Sequence, residues 1–202
     1  ANITALSGGR LAIKVYAAGE LVPALECFGA VASGTAQMGH DASYYHTGKS
    51  EGAPFFTAFP FGFTTAEMDA WVKYGNGQKL WDELYAPFGI RAFHAGSTGT
   101  QMFGWFRKEI RSLADLQGLK FRAPGNQGRV LQKLGVTPVT LPGGEIFPAL
   151  QSGAIDGAEW IGPYNDLALG FYQVCRYYYS PGYHEPGPCL QLMIKEQAWQ
   201  SL

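Results

Sequence analysis

Short apolar strands alternate with helices of about ten residues throughout the second half of the chain. The segments "LKFRA", "VTPVTL" and "AIDGAEW" have the composition of buried strands, whereas "NQGRVLQKLG" and "GGEIFPALQSG" have the apolar spacing of helices. Gly135 and Gly153 follow these two helices, at a position where glycine commonly ends a helix. The alternation predicts a largely parallel sheet covered by helices. No other feature of the sequence constrains the fold as strongly.

The first half of the chain predicts a second unit of the same class. "RLAIKVY" alternates apolar and polar residues, which is typical of a strand, and "TAQMGH" has the pattern of a short strand. Between them, "PALECFGAVASG" has helical spacing of its apolar residues and stops at Gly34. We therefore expect these three segments to form a strand–helix–strand unit.

A longer helical stretch is predicted from Thr65, which can serve as its N-cap, and a break is predicted at Gly75 and Gly77. The segment "GIRAFHAG" then has the composition of a buried strand. Ser112 is predicted to cap a short helical turn ahead of "LKFRA".

Composition excludes several classes of protein. The 202-residue chain can bury a substantial core, since 47% of its residues are apolar. Its 15 basic and 16 acidic residues nearly cancel and form no run of like charge, so nucleic acid is not an expected partner. No window approaches the ~20 uninterrupted apolar residues of a membrane-spanning helix, and no signal-peptide pattern is found. Cys175 and Cys189 could pair across a short loop, but we favour free, buried thiols.

Arg122 and Glu159 both fall at the carboxyl end of a predicted strand. In parallel sheets covered by helices, ligands bind beyond this end. Arg122 offers a planar fork of donors that matches a carboxylate, so it is a candidate anchor for an organic acid. The alternative for Arg122 is a surface ion pair with Asp115 or Glu145.

Glu159 and Glu185 are separated by the strand-like "CRYYYS", so one sheet can bring both carboxylates together. Two converging carboxylates repel each other unless a cation lies between them. Gln101, which follows the turn "GSTGT", can add a neutral carbonyl oxygen, and such oxygen ligands suit a hard cation. Soft metals are not expected, and His184, beside Glu185, is predicted to be an exposed loop histidine.

Three segments together, "LADLQGLKFRAPG", "GGEIFPALQSGAIDGAEWIGPYND" and "YYYSPGYHEPGP", resemble the substrate-binding proteins of tripartite ATP-independent periplasmic (TRAP) transporters. They are most similar to the branch that binds 2-oxo and 2-hydroxy monocarboxylates together with a metal ion. The resemblance runs through essentially the whole chain. It implies a periplasmic-binding-protein-like α/β fold, with two α/β lobes around a cleft, and a protein that captures solutes without catalysis.

The resemblance also implies an arrangement of lobes and a cellular setting. Residues 1–95 are predicted to form the first lobe, and residues 96–202 the second lobe with most ligand and metal residues. Family members are considerably longer, so we expect this chain to be an incomplete fragment, without an N-terminal strand and a C-terminal section. The implied location is the periplasm, and the implied partners are the TRAP transporter membrane subunits and a second copy in a homodimer.

By the same resemblance, one metal ion, sodium or calcium, takes oxygens from Gln101, Glu159, the backbone carbonyl of Trp160, and Glu185. Arg122 holds the carboxylate of a small monocarboxylate such as pyruvate or lactate, which completes the metal site. Charge counting favours calcium slightly, because a divalent ion would neutralise Arg122, both glutamates and one ligand carboxylate together.

Aromatic side chains are predicted to close the site. Tyr44 and Tyr45 follow a predicted strand, and a phenol can bind the 2-oxo or 2-hydroxyl oxygen of a ligand. Tyr45 is the better candidate by resemblance, and Trp160 and Gln101 complete the predicted substrate contacts. Phe61 and Phe63 could line the pocket, but core packing is favoured for both.

Two other classes of function remain as alternatives. Glu159 and Glu185 could be the acid and base of a carboxylate-pair hydrolase, a reaction that needs two carboxyl groups around one bond. A nucleotide-binding module is disfavoured, because "AGSTGTQ" and "GGEIF" lack the phosphate-loop ending and the dinucleotide-binding spacing. We therefore expect a binding protein rather than an enzyme.

Overall fold

The computed structural model describes residues 2–202. Within this range, the α-helices are α1 (Asn2–Leu6), α2 (Cys27–Ser33), α3 (Thr65–Tyr74), α4 (Gly77–Tyr85), α5 (Gly125–Lys133), α6 (Gly143–Ser152), α7 (Pro163–Leu169) and α8 (Glu196–Trp199). The strands are β1 (Met38–Asp41), β2 (Ile90–Ser97), β3 (Gly104–Phe106), β4 (Lys120–Arg122), β5 (Thr137–Val139), β6 (Gly157–Ala158), β7 (Tyr177–Tyr179) and β8 (Cys189–Lys195). The predicted α/β class is confirmed. None of the helices in the described range combines the length and the apolar character that crossing a bilayer demands.

The strands form two sheets. The first has the order β1-β8-β2 and is antiparallel, and the second has the order β5-β4-β6-β3-β7. In the second sheet, β5, β4 and β6 run parallel, as the alternating pattern predicts. β3 runs antiparallel to both of its neighbours, β6 and β7. The prediction of a largely parallel sheet is therefore confirmed for β4, β5 and β6, which are joined by α5 and α6. It is wrong for β3, which the chain enters from the first sheet without a crossover helix.

The predicted strand "RLAIKVY" is wrong. Residues 11–17 are irregular and mostly exposed, and Val15 retains 82% of its accessible surface. An alternating pattern becomes a strand only when a neighbouring strand takes its backbone hydrogen bonds and a core covers its apolar face. The predicted strand–helix–strand unit is therefore reduced to α2 and β1.

The other predicted elements of the first half are confirmed. α3 and α4 are separated at Gly75 and Asn76, and "GIRAFHAG" is β2. The N-cap of α3 is Thr64 rather than the predicted Thr65, because Thr64 forms a reciprocal capping box with Glu67. Ser112 caps its turn as predicted, through a capping box with Asp115.

The strand β8 departs from the predicted division at residues 95 and 96. Although it lies at 189–195, it pairs with β1 and β2 in the first sheet rather than with the second sheet. The chain thus returns to the first sheet after β7. The division into lobes of residues 1–95 and 96–202 stays a prediction. Residues 189–195 were assigned to the second lobe by this division, but they pair with strands of the first sheet.

Each sheet has its own apolar core. The core of the first sheet is formed by Phe28, Val31, Phe56, Met68, Val72, Trp81, Tyr85, Ile90, Ala92, Cys189 and Met193. Two clusters pack around the second sheet, one centred on Phe121 and Leu131 and the other on Ile146 and Leu150. Cys175 belongs to the latter cluster, so the two cysteines lie in different cores. Both are free thiols, as favoured from the sequence.

Candidate functional site

The predicted site residues lie in loops that leave one edge of the second sheet. Arg122 ends β4, and Glu159 follows β6, the parallel neighbour of β4. β3 is antiparallel to β6, so the loop before β3, which contains Gln101, reaches the same edge. β7 is antiparallel to β3, so the loop after β7, which contains Glu185, also starts there. The topology therefore brings together four residues that are distant in sequence.

Close packing between two of these loops depends on a glycine. A Cβ atom at Gly182 would collide with the backbone of Gln101 and Met102. The loop of Glu185 can therefore lie directly against the loop of Gln101, and the backbone amide of Gln101 donates to the carbonyl of Glu185 at 3.1 Å.

Arg122 is buried, with 1% of its surface exposed, and its guanidinium has four contacts with acceptors. Nε donates to the Leu141 carbonyl at 3.1 Å, and one terminal nitrogen donates to both the side chain and the carbonyl of Glu159. The other terminal nitrogen donates to the Tyr45 hydroxyl at 3.0 Å. The surface ion pair considered from the sequence is wrong, because Asp115 caps its own turn and Glu145 is exposed.

The guanidinium has one N–H group left for a further acceptor, since an arginine carries five and four contacts are made. A ligand carboxylate that accepts two parallel hydrogen bonds would thus displace either Tyr45 or Glu159 from Arg122. Burial alone would lower the pKa of Arg122, but the Glu159 carboxylate and the nearby tyrosines outweigh it and the pKa is raised. The residue is therefore a permanent cation.

Trp160 and Tyr45 flank the guanidinium. The indole of Trp160 lies 5.2 Å from the Arg122 guanidinium carbon, within the range of a cation–π contact. Burial raises the pKa of Tyr45, against the opposing effect of Arg122, so the phenol keeps its proton. Because Arg122 is the donor in their hydrogen bond, the Tyr45 hydroxyl proton remains available to a ligand oxygen.

The segment that carries Tyr45 is fixed by hydrogen bonds on both sides. The Ser43 and Thr57 hydroxyls are 2.7 Å apart, and His46 Nε2 lies 2.9 Å from the Asp41 carboxylate. Gly125, with φ of +61°, allows the start of α5 to approach this segment, because a Cβ there would lie 2.9 Å from the Tyr44 Cβ. Beside Tyr44 and Tyr45 lies a cleft of about 350 Å³, also lined by Thr47, Gly125 and Arg129, but the acidic residues do not line it.

Glu159 and Glu185 are both buried, with 0% and 4% of their surfaces exposed. The Gln101 side-chain amide donates to Glu185 at 2.8 Å. Burial raises the pKa of the Glu185 carboxyl well above its usual range, and the Glu159 carboxylate adds to the rise. This is the expected response when two carboxylates share one dry site with a single arginine.

Unpaired polar atoms converge at these carboxylates. Oε1 of Gln101 and Oε2 of Glu159 are buried and have no hydrogen-bond partner. A buried polar atom without a partner costs roughly 1–3 kcal/mol, so such atoms need a partner from outside the protein, either an ordered water or an ion. Two carboxylates and a carboxamide oxygen form the donor set that hard cations prefer. The residues present therefore fit a metal ion.

The prediction that His184 is an exposed loop histidine is wrong. The residue is 1% exposed, and its Nε2 lies 3.6 Å from Glu159 Oε2. Glu159, His184 and Glu185 each offer one ligand atom, and these atoms lie within 4.8 Å of one another. In a strand, the adjacent side chains of His184 and Glu185 would point to opposite sides. Residues 180–188 form an irregular loop instead, so both side chains can be buried at the same site.

The sequence also missed Asp166, a buried carboxylate in α7 that accepts four hydrogen bonds. Its Oδ1 accepts from the backbone amides of Ile161 and Gly162, each at 3.0 Å. Its Oδ2 accepts from Trp105 Nε1 and from the Tyr178 hydroxyl, each at 2.9 Å. Asp166 thus fixes the turn directly after Glu159 and Trp160. Only its place at the start of a helix could have indicated this role.

Phe61 and Phe63, which could line the pocket according to the sequence, differ in burial. Phe61 is 83% exposed and lies against Tyr183, so core packing was wrong for this residue. Phe63 packs against the core of the first sheet, as favoured. Phe61 has a φ of +58°, a backbone conformation that is uncommon for a residue other than glycine.

The chain is similar to several known proteins along its whole length. The sequence profile of the bacterial extracellular solute-binding proteins, family 7 (DctP), matches residues 1–202. The monocarboxylate 2-oxoacid-binding periplasmic protein of Nostoc sp. is 48% identical over 201 residues, which cover 100% of this chain and 55% of the relative.

Two solved structures of TRAP solute-binding proteins have nearly the same fold. The protein from Pseudoalteromonas atlantica, with bound sodium and pyruvate, has a TM-score of 0.96 and 47% identity over 99% of this chain and 60% of its own. The protein from Bordetella bronchiseptica, a mixed-occupancy dimer with copurified calcium and picolinate, has a TM-score of 0.97 and 44% identity, with 99% and 60% covered. The chain thus spans little more than half the length of these relatives.

Proposed function

This chain belongs to the bacterial extracellular solute-binding proteins, family 7 (DctP), and we propose that it captures a small 2-oxo or 2-hydroxy monocarboxylate together with one metal ion. The observation that carries the proposal is the convergence of a buried arginine with two buried carboxylates and an unpaired carboxamide oxygen at one sheet edge. Such a group of charges is costly to bury and has an evident use only when a cation and an anion join it.

Arg122 and the metal ion would bind the ligand carboxylate from two sides. Arg122 has a free N–H group, and the Tyr45 hydroxyl can donate to the 2-oxo or 2-hydroxyl oxygen beside the carboxylate. The indole of Trp160 would form an apolar wall for the ligand. Gln101 would contribute to the same ligand environment, because its amide already orients Glu185.

Gln101, Glu159, the backbone carbonyl of Trp160, and Glu185 would hold the metal ion. When bound, the ion supplies positive charge that neutralises the two carboxylates and attracts the ligand carboxylate. Sodium and calcium are both proposed, since each is named with one of the similar structures. A divalent ion neutralises the site more completely.

The cellular role is proposed from the family. Delivery of the ligand to the membrane subunits of a TRAP transporter, from the periplasm, agrees with the names of the similar proteins. A homodimer is proposed because one similar structure is described as a dimer.

The family consists of solute-binding proteins rather than enzymes, and we propose that this chain has no catalytic activity. The hydrolase alternative would need Glu159 and Glu185 to flank a scissile bond. Instead, Glu159 accepts a hydrogen bond from Arg122, and Glu185 accepts one from Gln101. Product formation on incubation with glycosides or 2-oxo acids would favour the alternative.

The test is titration calorimetry with pyruvate on protein stripped of metal and then supplied with sodium or calcium. We expect binding that strengthens with the ion and is lost in Glu159→Gln and Glu185→Gln, while the exposed Glu145→Gln serves as the control. Pyruvate binding that is indifferent to ions and to both substitutions would contradict the metal part of the proposal. No binding of any monocarboxylate under any ionic condition would contradict the function itself.

A further inference from the structure

His184 has no partner for either ring nitrogen, although it is as deeply buried as any polar residue of the site. Both Nδ1 and Nε2 lack a hydrogen bond, and the side chain has no exposed surface. An imidazole carries one donor and one acceptor when neutral, and burying both unpaired is costly. The position therefore calls for a ligand atom that the protein itself does not supply.

The missing partner of His184 Nε2 lies on the side of the acidic residues. Glu159 Oε2, which is also unpaired, lies 3.6 Å from His184 Nε2. This separation is too long for a hydrogen bond. It is close to the separation expected for two ligand atoms that each lie about 2.1 Å from one ion. Glu185 supplies a third ligand atom within 4.8 Å of both.

We propose that His184 is a further ligand of the metal ion and that the site consequently accepts a transition divalent ion such as Mn²⁺, in addition to sodium or calcium. The inference rests on the metal site of the proposed function and extends it to a nitrogen ligand. Calcium and sodium take oxygen ligands, whereas mixed imidazole and carboxylate sets suit Mn²⁺, Co²⁺ and Zn²⁺.

The rest of the chain supports the assignment of this role to one histidine. The chain has 4 histidines. His46 is paired with Asp41, His94 with Asp69, and His40 Nε2 lies 3.3 Å from the Ala95 carbonyl. Among the described residues, the group of Glu159, His184 and Glu185 is the one that brings three metal-ligating side chains together. A nitrogen ligand on a bound ion would therefore come from His184.

The test uses Mn²⁺ as the probe, because its unpaired electrons report coupling to a directly bound nitrogen. Pulsed electron paramagnetic resonance of the metal-stripped protein loaded with Mn²⁺ should show ¹⁴N modulation, which changes to the ¹⁵N pattern when the protein is made with ¹⁵N-histidine. This measurement needs no substitution, so it does not depend on the folding of a variant.

The matched variant is His184→Gln, which replaces the nitrogen with a carboxamide of similar reach. We expect it to lose the nitrogen modulation and to bind Mn²⁺ at least about tenfold more weakly, the low end for removing even an outer-shell partner. Its affinity for calcium should change much less, since an oxygen ligand remains. Melting temperature compared without metal checks that the variant is folded.

Two results would overturn the inference and are distinguishable. Mn²⁺ that binds and is displaced by calcium, but shows no histidine modulation, leaves the metal site intact and excludes His184 as a ligand. Failure of calcium, sodium and Mn²⁺ alike to bind, with pyruvate affinity independent of all three, removes the metal site itself and with it the metal part of the proposed function.

Discussion

The side-chain amide of Gln101 donates a 2.8 Å hydrogen bond to Glu185, which comes from a different loop 84 residues later in the chain. The contact holds one carboxylate of the acidic pair while leaving the Gln101 carbonyl oxygen without a partner. Gln101 is thus the neutral member of the buried group that it forms with Glu159 and Glu185.

Replacing Gln101 with glutamate should make folding depend on a cation. The Gln101→Glu protein would bury a third carboxylate beside two others, and we expect a loss of about 1–3 kcal/mol without metal. Calcium should raise its melting temperature more than that of the unmodified protein. Gln132→Glu, on the exposed side of α5, is the control and should change neither quantity. Equal calcium responses in all three proteins would contradict a role of Gln101 at the ion.

Truncating Arg122 should weaken ligand binding strongly. We expect Arg122→Ala to lower pyruvate affinity by about 2–5 kcal/mol, the range for removing one partner of a buried charge pair. Arg122→Lys should restore only part of this, because an ammonium cannot reproduce the planar fork. Arg111→Ala is the control, since Arg111 is exposed and pairs with the exposed Glu109 at 2.8 Å. Unchanged affinity in Arg122→Ala, measured by calorimetry, would exclude Arg122 as the anchor.

The Tyr45 hydroxyl should contribute to affinity independently of its ring. In Tyr45→Phe the aromatic wall is retained, but Arg122 loses an acceptor and the ligand loses a donor. Affinity for pyruvate should fall by about 1.5–3 kcal/mol, the range for a hydrogen bond that involves a charged group. The exposed Tyr164→Phe is the control. A Tyr45→Phe protein that binds as tightly as the control would reduce Tyr45 to a packing role.

The order of elements made part of this site predictable. Arg122 and Glu159 could be found because parallel strands place their carboxyl ends at one edge, and β4 and β6 are in fact parallel neighbours. Gln101 and Glu185 needed the resemblance as well, because β3 enters antiparallel and no local pattern predicts where its preceding loop lies.

Other features depended on contacts that no local pattern contains. "RLAIKVY" has a strand pattern but lacks a neighbouring strand. His184 lies in a loop rich in glycine and proline, a composition typical of exposed loops, although the folded chain buries it. The four hydrogen bonds of Asp166 come from three separate segments of the chain, so only the folded structure brings them together.

Asp166 should be needed for the geometry of the turn after Glu159. In Asp166→Asn, the new amide can accept from the backbone of Ile161 and Gly162, but its NH₂ group would face the Trp105 N–H. We expect a loss of about 1–3 kcal/mol in unfolding free energy, the cost of one unpaired buried donor. Adding Trp105→Phe removes the facing donor, so the double variant should lose less than the sum of both single changes. If chemical denaturation shows that the losses in unfolding free energy of the two single variants simply add up in the double variant, the new amide does not clash with the Trp105 N–H.

Ligand selectivity should follow from the number of charges at the site. One arginine and one cation can satisfy a single carboxylate, whereas the second carboxylate of succinate would be buried without a partner at a cost of several kcal/mol. The walls formed by Trp160 and Tyr45 are aromatic, which favours an apolar tail over a polyol. Calorimetry should therefore rank pyruvate or 2-oxobutyrate well above succinate and above mannitol. Tighter binding of the dicarboxylate or the polyol than of any monocarboxylate would show that the charge at Arg122 serves another ligand class.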